Sequence, residues 1–309
     1  MTDTRIAESE LRRFAPLAAP LLAGTAAGSF GPRAAKNRPG PGLEYLDTRQ
    51  YQHGDDMRMI DWRQSARSQA LLIRRYRDEA AADWHLCVDC SASVNWGEHK
   101  WPATARLATA LAYTLLYAGH RVALILFSDR IEGMCELGRG ARHFASLLNM
   151  LVGERKTVGG ASCPDRGWKP LPQAKVPLPR SRTNLGICLP LVKQNSNVII
   201  VSDFLEPDGM RSNLRALRAR TASVDALQVL DENEVALSAN DPVALMDVES
   251  GQKQNVTDAE PATQLARQRL QSHQQELASS CAGLGVRFSS SLANDRWQRV
   301  LLGHLRRRG

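Results

Sequence analysis

The chain has 309 residues, 43% of them hydrophobic and 6% aromatic, with a formal net charge of +8. That length and apolar content suffice for one large core plus appended segments. The charge gathers at residues 33–38, at residues 166–182 and in the Arg306-Arg307-Arg308 tail; with few aromatics and no zinc-finger spacing, no nucleic-acid module is recognisable, and an acidic protein partner suits such patches as well.

At the N-terminus a helical period runs from Ala7 to Leu22. Its apolar stretch Leu17 to Ala27 is too short to span a bilayer, is broken by Pro20 and Gly24, and follows acidic Asp3, Glu8 and Glu10, so neither a membrane helix nor a signal peptide is expected. A soluble, cytoplasmic protein is the expectation. Glycine, proline and basic residues then form a connector through Gly42, and Glu44 to Glu79 reads as short strands around Met59-Ile60 and Leu71-Leu72-Ile73.

After Asp83 short apolar runs alternate with helical periods, the pattern of a parallel sheet with crossover helices. Strands are predicted at 85–88, 122–127, 197–201, 224–230 and 286–289, and helices at 100–118, 141–152, 184–193, 209–219, 261–282 and 295–306. Together they predict a doubly wound, mostly parallel α/β sheet of Rossmann type, with an N-terminal extension of short strands. The expected division is a module over 1–80 packed on a main domain over 81–309. A proline-rich basic loop at 156–182 and a hairpin-like insertion at 235–256 interrupt the main domain. Six scattered cysteines argue against a disulfide framework, and Cys87-x-x-Cys90 straddles a strand end where redox pairs do not sit.

Open parallel sheets bind ligands at the carboxyl ends of their strands. Hard oxygen donors stand at such places here: Asp89-x-Ser91-x-Ser93 after the first main strand, Thr183 before a helix, and Asp203 at the tip of 197–201. A shell of hydroxyls and few carboxylates suits Mg²⁺ or Mn²⁺. Held mainly by neutral hydroxyls, such an ion stays electrophilic and invites an outside carboxylate. Each residue also has a plainer reading, since Asp, Ser and Thr at these positions commonly cap helices.

Asp89, Ser91, Ser93, Thr183 and Asp203 resemble, in order and in element, the metal-ion-dependent adhesion site of von Willebrand factor A domains. The upstream block Gly42-Leu43-Glu44-Tyr45, Arg49-x-Tyr51-x-x-Gly54-Asp55-Asp56-x-Arg58-x-Ile60-Asp61-Trp62, Ala66-Arg67, Arg74 and Glu79 resembles the bacterial family called domain of unknown function 58. So do Leu230-Asp231-x-x-Glu234 and Asp247-x-Glu249-x-Gly251, and the likeness spans residues 28–305. The resemblance implies a von Willebrand A-like protein working beside a MoxR-type AAA+ ATPase to assemble or activate a client. On that reading Ser91, Ser93 and Thr183 bind the metal directly, and Asp89 and Asp203 bind it directly or through water.

No phosphate-binding G-x-x-x-x-G-K-[ST] loop is present, so a motor would be a separate chain. The chain is expected to be a non-enzymatic adaptor. The rival is a metal-dependent phosphoesterase using Asp89, Asp203 and the Asp55/Asp56 cluster. Asp55, Asp56, Arg58, Asp61 and Arg67 read either as a second site or as a structural network of arginine–carboxylate bonds, Arg58 and Arg63 pairing with Asp55, Asp56 or Asp61.

Overall fold

The structure is a computed structural model that describes residues 6–23, 39–52, 57, 60–68, 70–77, 81–95, 99–153, 183–205, 209–235, 243–246, 253–256 and 259–307. The chain divides into two compact units, Met1–Thr25 with Ala82–Gly309, and Ala26–Ala81.

Helix α1 (Glu8–Ala23) buries Leu11, Phe14, Ala15, Ala18 and Leu22, which recur at helical spacing, and turns Arg12, Arg13, Pro16 and Pro20 to solvent. Its Phe14 ring meets Trp297 edge-on at 4.8 Å between centroids. The helix therefore belongs to the larger unit. This corrects the expected grouping of residues 1–80: composition marks where a segment ends, but the partner of an apolar stripe is decided by packing.

In the smaller unit, β1 (Pro39–Gln50) pairs antiparallel with β2 (Leu72–Arg77), and α2 (Trp62–Ser68) lies between them in sequence. Residues 39–42, expected in a connector, are strand. The strand expected at Met59-Ile60 is reduced to a single bridge from Ile60 to Ile73.

The larger unit is built on strands β3 (Asp83–Asp89), β4 (Arg121–Phe127) and β5 (Ile131–Gly138), with α3 (Ala92–Asn95) and α4 (Lys100–Tyr117) between the first two and α5 (Gly140–Val152) after the third. It continues through β6 (Asn197–Ser202), α6 (Met210–Arg220), β7 (Ser223–Leu230) and α7 (Glu232–Val235) to an antiparallel hairpin, β8 (Val243–Met246) with β9 (Lys253–Val256). Helix α8 (Ala259–Leu284), β10 (Arg287–Leu292) and α9 (Trp297–Arg306) complete it. The main sheet has the order β10-β7-β6-β3-β4-β5, parallel throughout except for β5, which is antiparallel at the edge.

Strand alternation divides the core between two faces. Trp84, Leu86 and Val88 point to the side covered by α1, α4, α5 and α9, while Cys87, Val198 and Ile200 point to the side covered by α6 and α8. Cys87 and Cys90 thus fall in opposite cores, which removes them as a redox pair.

In the larger unit, β5 and the 184–193 segment depart from the sequence-based expectation for identifiable reasons. β5 went unpredicted because Ile131-Glu132-Gly133-Met134-Cys135-Glu136 carries a weak apolar alternation; pairing with β4 makes it a strand. The helix expected at 184–193 is a single 3-10 turn, Leu185–Cys188, followed by turns. Pro190 cannot donate to a continuing helix. Gly186 also sits where a Cβ would come within 3.0 Å of Asn184 Oδ1 and 3.2 Å of Asn213 Oδ1.

Removing the α1 anchor tests this assignment. Phe14→Ala is expected to cost the larger unit about 3–5 kcal/mol in urea unfolding. A loss of under about 1 kcal/mol would show that α1 is not part of that core.

Candidate metal centre

The first main strand, β3, sends its chain onward to β4 on one side, and β6 later returns on the other. The strand order reverses between β3 and β6, and at such a switch point the loops leave in opposite directions and open a crevice. Asp89 ends β3 and Ser202-Asp203 ends β6, so both stand at its mouth.

Asp89 is wholly buried. Its Oδ1 accepts the Ser91 N–H at 2.8 Å, and its Oδ2 accepts hydroxyls from Thr183 at 3.1 Å and Ser202 at 2.6 Å. Ser91 Oγ and Ser93 Oγ lie 3.0 Å apart. The loop is pinned from behind: Asn95 Nδ2 donates to the carbonyls of Cys90 at 2.6 Å and Ser91 at 2.9 Å, and the Cys90 N–H donates to Phe127 O at 2.8 Å. Thr183 is brought in by the Asn184 N–H, which donates to Ser128 O at 2.9 Å.

Among the described residues no cation pairs with Asp89. Burial pushes its carboxyl up to about 6, with the nearby Asp203 carboxylate adding to the rise and the bonds from Ser202 and Ser91 opposing it.

Asp203 is held differently. Its Oδ2 accepts the Lys100 ammonium at 2.8 Å, and its Oδ1 accepts the Leu205 N–H at 3.3 Å. The same ammonium reaches Glu234 Oε1 at 2.5 Å, and Glu234 Oε2 accepts the Asp231 N–H at 2.8 Å. Lys100 is only 1% exposed. Burial opposes its charge, but Asp203 and Glu234 outweigh that and keep the ammonium protonated. Burial and Asp203 push Glu234 up while Lys100 holds it down.

The turn after Asp203 is strained. Phe204 takes φ +52, a left-handed conformation unusual for a bulky residue. Its surroundings hold it there: the Phe204 N–H donates to Ser202 Oγ at 3.0 Å, Gln228 Nε2 donates to Asp203 O at 2.8 Å, and His273 Nε2 lies 2.6 Å from Phe204 O. Backbone strain fixed on several sides is typical of functional sites.

Four of the predicted residues, Asp89, Ser91, Ser93 and Thr183, are thus hydrogen-bonded directly or through one another, while Asp203 stands on the neighbouring strand tip and acts on Asp89 through its charge; the chemistry of the set fits a hard divalent cation. Hydroxyl protons directed at Asp89 or shared between Ser91 and Ser93 leave oxygen lone pairs free to face an ion. With all three ionised, the carboxylates Asp89, Asp203 and Glu234 against one ammonium leave an excess of two negative charges, which one such cation would balance. Among the described residues no group of three or more His, Cys, Asp or Glu side chains has metal-site geometry, so a metal here would depend on the hydroxyls.

Sequence reasoning passed over Ser202, Lys100 and Glu234 as working parts. Ser202 had no signal beyond adjacency. Lys100 had one: a cation in the first turn of a helix opposes the helix dipole, and α4 has no acidic residue there and no side-chain cap. Such a lysine implies carboxylates brought from elsewhere in the fold.

The upstream block belongs to the smaller unit. Asp55, Asp56 and Arg58 lie outside the described residues, as does the basic loop. Asp61 behaves structurally, its Oδ1 capping α2 by accepting the Arg63 and Gln64 N–H groups, each at 3.1 Å, and its Oδ2 taking Arg74 Nε at 2.8 Å. The Arg74 bond, followed by the backbone donors, lowers this carboxyl to about 2. Arg63, expected as a charge partner, enters through its backbone, and Arg67 is exposed in the last turn of α2.

The family profile described as protein of unknown function DUF58 matches residues 47–277. Uncharacterized proteins of Mycobacterium bovis and Mycobacterium tuberculosis are each 28% identical over 220 residues, covering 69% of this chain. The chain spans 63% of the length of these curated relatives. Among solved structures, the conserved hypothetical protein BatB from Bacteroides thetaiotaomicron aligns with TM-score 0.42 and 12% identity over 74% of this chain and 98% of that one. An aerotolerance-related membrane protein from Bacteroides fragilis aligns with TM-score 0.39 and 12% identity over 74% of this chain and 100% of that one. Among the described residues no helix is long and apolar enough to cross a membrane.

Asp89 sets a pH dependence in the metal-free protein. Its folded pKa of about 6 lies above the unfolded value, so its contribution to stability is complete below pH ~3.8 and is lost as pH rises through about 6. In EDTA the wild type is expected to lose about 1–2 kcal/mol relative to Asp89→Asn between about pH 5 and pH 8. Parallel unfolding profiles for the two proteins would contradict a buried, uncompensated Asp89.

Proposed function

The chain belongs to the DUF58 family of proteins of unknown function, and from its strand-tip centre we propose a non-enzymatic adaptor that binds Mg²⁺ or Mn²⁺ and grips partner proteins through it. The observation that carries this reading is Asp89: a fully buried carboxylate with no cation beside it among the described residues, ringed by the Thr183, Ser202 and Ser91 donors. A buried charge of that kind is costly unless paired.

In this reading the fold is of the von Willebrand factor A type and the centre is an adhesion site. Ser91, Ser93 and Thr183 present hydroxyl oxygens, Asp89 neutralises and orients, and Asp203 stands behind. A divalent ion bound there supplies an electrophilic open position for an outside carboxylate. The site hydroxyls bond to the Asp89 carboxylate or to each other, which leaves their oxygen lone pairs to face a cation.

The partners proposed, on the family resemblance, are a MoxR-type AAA+ ATPase and a client protein, met in the cytoplasm. Each would offer an Asp or Glu side chain to the centre.

Capture from a lysate of the source cells tests this. In Mg²⁺ the full chain is expected to retain the ATPase and a client, to release both in EDTA, and to lose at least about tenfold in affinity on Asp89→Ala, roughly 1.4 kcal/mol or more. Equal retention of both partners by Asp89→Ala in Mg²⁺ would sink the proposal. Robust phosphodiester hydrolysis in Mn²⁺, lost in Asp203→Ala, would replace it with an enzyme.

A further inference from the structure

We propose that Lys100 is a tethered counter-ion that sets the charge of the centre, holding its ammonium between Asp203 and Glu234 so that a bound divalent ion is drawn chiefly by Asp89, the carboxylate with no ammonium beside it among the described residues. The inference rests on the metal reading above and deepens it.

The geometry is specific. Lys100 opens α4, the second helix after Asp89, and its side chain is 99% buried, the ammonium lying between Asp203 Oδ2 at 2.8 Å and Glu234 Oε1 at 2.5 Å. These carboxylates come from two different strand ends, β6 and the α7 turn after β7. A lysine thus stands between them. It is also the wrong residue for the start of a helix, where the dipole disfavours cations. Its position is explained by what it does to Asp203.

Two consequences follow from elementary electrostatics. With the Lys100 ammonium against its Oδ2, Asp203 has much of its charge offset and attracts a cation less than Asp89 does. An ammonium so near the centre also repels an incoming cation, trading metal affinity for electrophilicity. An ion bound by Asp89 and neutral hydroxyls then retains strong demand for a further anion, which is what a partner's carboxylate would satisfy. Lys100 acts through Asp203, so it is a positioning residue. Glu234 anchors the ammonium from the far side and ties it to the α7 turn, which precedes the β8–β9 hairpin in the chain.

The test is Mn²⁺ titration of the full chain, read by electron paramagnetic resonance of the free ion, with melting temperature measured in EDTA and in Mn²⁺. Lys100→Met exposes two neighbouring carboxylates to each other. It is expected to melt lower than wild type in EDTA, to bind Mn²⁺ at least about tenfold tighter, and to show a larger Mn²⁺-induced rise in melting temperature. A purely structural lysine would lower the melting temperature and leave Mn²⁺ affinity unchanged or weaker, and that result overturns the inference. Should Lys100→Met fail to fold, Glu234→Gln decides. It leaves the ammonium to Asp203 alone and removes one negative charge, so Mn²⁺ binding should weaken by at least about threefold; unchanged affinity overturns the idea. Failure of the metal reading looks different: wild type and Asp89→Asn would then be alike in binding no Mn²⁺.

Discussion

A carboxylate in a protein interior must be paid for in some way: protonated, hydrogen-bonded or paired with a cation. Among the described residues Asp89 has hydrogen bonds and no cation, and burial together with Asp203 raises its proton affinity. Its neighbours are arranged around that requirement. Ser202 and Thr183 donate to one oxygen and the Ser91 backbone to the other, so the carboxylate is fixed in orientation before any ligand arrives. Such preorganisation lowers the cost of assembling a coordination shell.

The sheet makes this arrangement available. β3 and β6 run parallel and adjacent with their chains leaving in opposite directions, so two strand tips meet side by side at the switch point. β4 contributes indirectly, since Phe127 O and Ser128 O hold the Asp89 loop and the Thr183 turn. A residue far along the chain, Thr183, thereby becomes a neighbour of Asp89.

The two acidic members of the centre are in different electrostatic states although they stand on adjacent strands. Asp203 is matched by Lys100, whereas among the described residues Asp89 is met by hydrogen-bond donors and the like charge of Asp203, with no cation. That asymmetry supports the proposed division of labour, in which one carboxylate chiefly draws an ion and the other has its charge offset. The strained Phe204 turn aims Asp203 toward the ammonium and is held by contacts from β6, β7 and α8.

The sequence alone determined the α/β class, the parallel core strands and the strand-tip identity of Asp89, Ser91, Ser93 and Asp203, because apolar runs buried on both faces and helical periods are local signals. It also carried the DUF58 motifs. What it could not carry was anything settled by pairing between distant segments. β5 became a strand only through β4, the 184–193 helix was cut short at Pro190, and α1 joined the larger unit through Phe14 and Trp297. The Lys100–Asp203–Glu234 cluster belongs to the same class: it unites residues more than a hundred positions apart, and only the tertiary structure could decide that a lysine at a helix start is buried beside the centre. Local periodicity reports which face of an element is apolar, whereas the identity of what covers that face, and of the charge buried under it, is a property of the whole fold.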